Sequence, residues 1–145
     1  MNHEMNAVKK VEVIATKAHE GQYRRDGVTP YIEHPKAVAA RVRGDEKAEM
    51  VAWLHDVIED TKKENKASLK KKGVPIDVIE AVDLMTHKDG ELYGKYLEPI
   101  KNNPLAKKVK IADMLANLAD SPTEKQIQKY AKGLLFLLDD YSSAF

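Results

Sequence analysis

Three short segments hold most of the residues able to do chemistry. The first, AWLHDVIEDT at 52–61, sets an adjacent His55-Asp56 pair four positions before an adjacent Glu59-Asp60 pair in an otherwise apolar stretch. At about 100° per residue in a helix, these four side chains fall within an arc of roughly 140°. Val51, Leu54, Val57 and Ile58 take the other side, and two i,i+4 relations stack 55 on 59 and 56 on 60. Three carboxylates with no base between Leu54 and Thr61 repel one another unless a cation sits among them. An exposed acidic face with one histidine accounts for this segment equally well.

The second segment, VKIADMLANL at 109–118, places Asp113 and Asn117 four apart on a strongly apolar helix flanked by Ile111, Leu115 and Leu118. A carboxylate on a buried helix is costly unless it is paired or coordinated. Taken alone, Asp113 reads as pointing to solvent beside Lys110. The third is His34 in YIEHP, at the start of a helix after a rigid loop; a single histidine before proline is usually structural. Together His34, His55, Asp56 and Asp113 supply two imidazoles and two carboxylates. That mixed nitrogen and oxygen set suits Mn, Fe, Co or Zn and leaves positions for water and substrate.

The elements that must position these groups read as all helical. Apolar residues at 8, 11, 14, 15 and 18 give a helix over 8–19, and two glycines and two prolines within 20–35 predict an ordered loop. Pro35 opens a second helix to about Arg43, and Asp45 caps a third running through Glu59. The lysine-rich stretch 62–72 contains a short amphipathic segment ending at Gly73. Pro75 opens a helix to about Thr86, another spans 91–101, and Pro104 starts the helix that carries Asp113. Ser121 or Thr123 caps the last helix, with Pro122 just inside. No alternating run of useful length appears. The expectation is an all-α domain of seven or eight helices spanning 1–145.

Composition narrows the function classes. The chain has 145 residues and a formal net charge of +1, which gives no reason to expect a nucleic-acid polymer as partner. Cysteine is absent, so no disulfide or thiolate metal site is available, which suits a reducing cytosol. MNHEMNAVKK lacks the apolar core of a signal peptide, and LLFLL at 134–138 is too short to span a bilayer. The expectation is a soluble, cytoplasmic chain with no membrane association.

The pattern H…HDxxED…D in an all-helical chain resembles the HD-domain superfamily of metal-dependent phosphohydrolases. AHEGQYRRDGVTPYIEHPKAVA, LHDVIEDT and VKIADMLANL resemble the hydrolase domain of RelA/SpoT-type proteins, and most of all the stand-alone small alarmone hydrolases, from about Ala18 to Tyr130. The resemblance implies that His34, His55, Asp56 and Asp113 are metal ligands, with Mn²⁺ the usual ion. It implies that Glu59 and Asp60 position or deprotonate the attacking water. Arg24 and Arg25 match a basic pair that packs on the base and contacts phosphate, Asn117 an asparagine near the ribose and 3′-phosphate, and Tyr130 an aromatic of the nucleotide pocket. Lys88 is a further phosphate candidate, and Lys110 supports Asp113. The implied reaction removes the 3′-pyrophosphate of (p)ppGpp, giving GDP or GTP and pyrophosphate. With no room for a synthetase region, hydrolysis alone is expected.

The match departs at Met114, Ala119 and Gln126, where such hydrolases commonly carry basic residues. Each loss removes a phosphate partner, so substrate identity stays open: another phosphorylated nucleotide, such as an adenosine alarmone or the 2′-phosphate of NADPH, is the alternative. A non-catalytic nucleotide- or partner-binding module is a third reading, against which the intact Glu59 and Asp60 argue. His19 and His87 read as structural or exposed, His3 as part of a frayed terminus, Trp53 as a core anchor, and Tyr93 and Tyr96 as helix packing.

Overall fold

The computed structural model describes residues 6–139. Apart from one isolated β-bridge between Tyr23 and Pro30, its regular elements are all helices. In chain order these are α1 (Ala7–Ala18), α2 (Glu33–Arg41), α3 (Glu46–Leu54), α4 (Val57–Asp60), α5 (Lys66–Lys71), α6 (Ile76–Met85), α7 (Tyr93–Lys101), α8 (Pro104–Leu118) and α9 (Glu124–Leu138). The one-turn α4 continues α3 after a kink, so the described residues form eight helices, in line with the all-α expectation. His3 and the end of the last segment, beyond 139, lie outside the described residues.

Helix ends follow local chemistry. Asp45 caps α3 by accepting from the Ala48 N–H, and Asn103 caps α8 ahead of Pro104. Two boundaries differ from expectation. Of the two candidate caps it is Thr123 that caps α9, in a reciprocal capping box with Gln126, so Pro122 precedes the helix instead of lying just inside it. Pro35 is the third residue of α2, after Glu33 and His34. First-turn N–H groups have no intrahelical acceptor, so proline is tolerated there, and His34 is held in a regular turn.

The third helix is the main correction. It does not run unbroken to Glu59 but ends at Leu54, and Asp56 takes φ −106°, ψ −1°. The cause lies in His55, whose ring Nδ1 is 2.6 Å from the Ala52 carbonyl oxygen, the group that would accept from the Asp56 N–H in a continued helix. Regular bonding resumes with Asp60 N–H to Asp56 O at 2.9 Å. The single 140° polar face predicted for 55–60 is therefore divided at the kink.

Two helices lie at the centre. Alternate faces of α3 are all buried from Met50 to Leu54, and it packs against α1, α2, α6 and α8. A helix apolar around its whole circumference belongs inside. In turn α8 packs against α2, α3, α6, α7 and α9, and buries Lys110 and Asp113 along with Ala106, Val109 and Met114. The centre of chemistry lies where α2, α3 and α8 meet.

Gly133 lets α9 approach this layer: a Cβ there would stand 2.8 Å from Met114 Cε and 3.4 Å from Leu97 Cδ1. Because the nearest atom is the flexible tip of a methionine, Gly133→Ala should stay within about 1 kcal/mol of the parent, aided by alanine's helix propensity. Gly133→Val adds two methyl groups to the same gap and should cost about 1–3 kcal/mol. Urea unfolding of both variants checks the pair; an undisturbed Gly133→Val would contradict the close approach.

Candidate metal centre

From α2, the Nε2 of His34 reaches within 2.7 Å of Asp113 Oδ1 on α8. At the kink after α3, His55 Nε2 lies 3.1 Å from Asp56 Oδ2 and 3.3 Å from Asp113 Oδ1. The fourth edge, His34 Nε2 to Asp56 Oδ2, measures 4.0 Å. Residues 79 positions apart in sequence thus converge on one point. Both histidines and Asp113 are buried, and the two rings meet edge to face at 5.3 Å.

The donor set fits a divalent ion. Only an N–H can face the Ala52 carbonyl, so the short Nδ1 contact fixes the proton of a neutral His55 ring there and leaves Nε2 with its lone pair. That buried Nε2 has no hydrogen-bond partner, although two carboxylate oxygens flank it. A ring nitrogen flanked by two carboxylate oxygens calls for positive charge beside it, supplied either by a proton on the ring or by a cation in their midst. Two ligand atoms each about 2.1 Å from one ion and at right angles lie about 3.0 Å apart, close to three of the four separations here. His34, His55 and Asp56 lie within mutual ligating reach, and Asp113 closes the set.

The electrostatics show what the ion would balance. Burial opposes charge on His55, but Asp56 and Asp113 outweigh it and hold the imidazole pKa well above its ordinary value. Burial likewise opposes ionisation of Asp113, and Lys110, then His55, drive its pKa well below the carboxylate range. Lys110 Nζ is 2.9 Å from Asp113 Oδ2, a buried pair, and Asn117 Nδ2 lies 3.4 Å from Oδ1. Glu59 and Asp60 behave differently. Partial burial, with Asp56 nearby, raises both of their pKa values. Glu59 accepts from the His87 backbone N–H at 2.5 Å.

The centre opens onto a cavity of about 270 Å³ lined by His55, Asp56, Glu59, Met85, His87, Tyr93, Tyr96, Lys110 and Lys129. Several of the residues singled out in the sequence lie elsewhere. Arg24 donates to Asp120 at 3.0 Å and stacks 5.8 Å from the Tyr31 ring centre. Arg25 donates to Gln126, Tyr130 is half-buried on α9, and Lys88 is exposed; none of the three lines the cavity. Asp60 also stays outside the lining and accepts from Tyr31. His87, Tyr93 and Tyr96, set aside as structural or packing residues, form the cavity wall.

Sequence reasoning passed over Tyr31 and Lys129. The Tyr31 hydroxyl donates to Asp56 Oδ2 at 2.6 Å and reaches Asp60 Oδ2 at 3.2 Å, tying together the two acidic pairs. Burial, then the two carboxylates, push its pKa far above the phenol range, so it remains a donor. Its place three residues before His34 was the available signal. The loop that presents it is fixed by Asp26, which accepts from the Val28 and Thr29 N–H groups at 2.8 Å each.

An all-helical fold that brings two histidines and two carboxylates together is the arrangement expected of an HD-type domain. No family model matches the chain. It is 26% identical, with a TM-score of 0.75, to a solved structure described as a metazoan orthologue of SpoT that hydrolyses ppGpp, covering 99% of this chain and 91% of that one. A guanosine-3′,5′-bis(diphosphate) 3′-pyrophosphohydrolase from Borreliella burgdorferi is 32% identical over 130 residues, 79% of this chain and 19% of that protein. The Haemophilus influenzae protein of the same name is 58% identical over 52 residues, 34% of this chain and 8% of that protein. These likenesses support an HD-domain hydrolase of the RelA/SpoT type. The chain spans less than a fifth of the length of these two curated relatives.

Two variants test the centre. Asp113→Ala should abolish stoichiometric Mn²⁺ binding in equilibrium dialysis while helical circular dichroism persists; undiminished binding would refute the assignment. Tyr31→Phe removes only the hydroxyl that orients Asp56, so it should weaken metal affinity by roughly 10- to 100-fold. Unchanged affinity would remove Tyr31 from the centre.

Proposed function

We propose that the protein is a divalent-metal-dependent hydrolase that removes the 3′-pyrophosphate of (p)ppGpp, with Mn²⁺ as its ion. The observation that carries this reading is that the His34, His55, Asp56 and Asp113 centre opens onto a cavity whose wall also holds Glu59. The printed activities of the Borreliella and Haemophilus relatives and of the SpoT orthologue support the substrate.

A divalent ion held there supplies Lewis-acid polarisation of a phosphoryl oxygen and activation of water. Glu59 takes the proton of the attacking water, since its carboxylate faces the cavity and its raised pKa strengthens it as a base. Water forms a bond to the phosphorus carried by the ribose 3′-oxygen, the bond from that phosphorus to the 3′-oxygen breaks, and the oxygen leaves with a proton as the 3′-hydroxyl. Asp60, held by Tyr31, keeps Asp56 and the loop in register and acts as a positioning group. Asn117 steadies Asp113 from outside the cavity lining, and Arg24, whose guanidinium is held by Asp120, is assigned base stacking.

Incubation with Mn²⁺ and ppGpp should yield GDP and pyrophosphate in equal amounts. Turnover of another phosphorylated nucleotide, with ppGpp untouched, would overturn the substrate assignment. Glu59→Gln should keep its metal while kcat falls by roughly 10²- to 10⁴-fold. Wild-type kcat in that variant would contradict Glu59 as the base.

A further inference from the structure

Two cations enter the cavity, Lys110 from α8 and Lys129 from α9. The first is already answered: Lys110 Nζ sits 2.9 Å from Asp113 Oδ2 and 5.2 Å from the centre of the Tyr96 ring. The other basic candidates are committed or distant. Arg24 holds Asp120, Arg25 reaches Gln126, and Lys88 is exposed outside the cavity.

Lys129 is placed differently. Its ammonium stands 4.5 Å from the Tyr93 ring centre and 5.7 Å from that of Tyr130, so two aromatic faces hold the side chain over the cavity. Among the described residues no carboxylate forms an ion pair with it. Partial burial and the facing charge of Lys110 lower its pKa from the ordinary ammonium value. Two like charges directed at one small cavity are unfavourable until an anion enters between them.

We propose that Lys129 is the phosphate-gripping cation of the cavity, donating a charge-assisted hydrogen bond to a phosphate group of the bound nucleotide. This rests on the (p)ppGpp reading only for the identity of the nucleotide; the chemistry recognised is a phosphate or diphosphate group. The charge of Lys110 is already balanced by Asp113, whereas that of Lys129 is not, and the tyrosines offer only neutral donors. Lys129 therefore sets how strongly the site prefers a multiply phosphorylated ligand.

The test uses Lys129→Met, which keeps the apolar stem over Tyr93, and Lys129→Arg, which keeps the charge. With Mn²⁺ present, Lys129→Met should raise KM for ppGpp and the inhibition constant of inorganic pyrophosphate together, by roughly ten-fold or more, with kcat little changed. Lys129→Arg should recover most of the loss, while melting temperature and bound metal match the parent in both. Unchanged KM and pyrophosphate inhibition in Lys129→Met would overturn the inference and leave the (p)ppGpp reading standing. Should the parent not turn over ppGpp, calorimetric titration with pyrophosphate decides: binding lost in Lys129→Met upholds Lys129 as the anion site while the substrate reading falls. Equal binding by the two proteins overturns it.

Discussion

The structure depends on one buried carboxylate. Asp113 sits in the middle of α8, a helix that packs against five others, with almost no exposure to water. An ionised carboxylate in that position costs several kcal/mol unless it is fully paired. Lys110 one turn earlier, Asn117 one turn later, and the imidazoles of His34 and His55 supply that pairing. Because the two imidazoles come from α2 and from the end of α3, satisfying Asp113 also fixes how these helices meet α8. The same convergence that makes the core tolerable assembles the centre.

A kink divides the acidic residues by environment. By capturing the Ala52 carbonyl, His55 ends the regular helix and turns its own Nε2 and Asp56 toward Asp113. Glu59 and Asp60 follow on a separate turn nearer to water. The consequences are opposite: Asp56 is held well below the usual carboxylate range against the cost of burial, by His55 above all, whereas Glu59 and Asp60 are raised. Carboxylates with different pKa values in one site are suited to different tasks, ligation by one and proton acceptance by another. Tyr31 couples the two groups through a single hydroxyl shared between Asp56 and Asp60.

Much of the fold was legible because its signals are local. Asp45, Pro104 and Gly73 each act within a few residues, and the helices begin or end where they stand. The kink was not legible, because its cause is a side-chain ring competing for a backbone carbonyl, which periodicity does not register. Type and spacing left the four donor residues open, and only the family resemblance singled them out as a set; the distance from His34 to Asp113 exists only after α2 meets α8. Lys129 was overlooked for a related reason. On α9 the buried side is set by Gly133 and Leu137 packing, and only that rotation turns Lys129 toward Tyr93 and the cavity. The pattern also left Met114 without a role, and its tip proves to fill the space that Gly133 leaves open.

The central claim is that His34, His55, Asp56 and Asp113 hold one divalent ion between them. Crystals grown with Mn²⁺ and measured at the manganese absorption edge test it most directly, because anomalous scattering locates the ion independently of activity. One dominant peak is expected between His34 Nε2, His55 Nε2 and the oxygens of Asp56 and Asp113. A dominant peak among Asp56, Glu59 and Asp60 instead, or none within reach of the two imidazoles at saturating Mn²⁺, would contradict it.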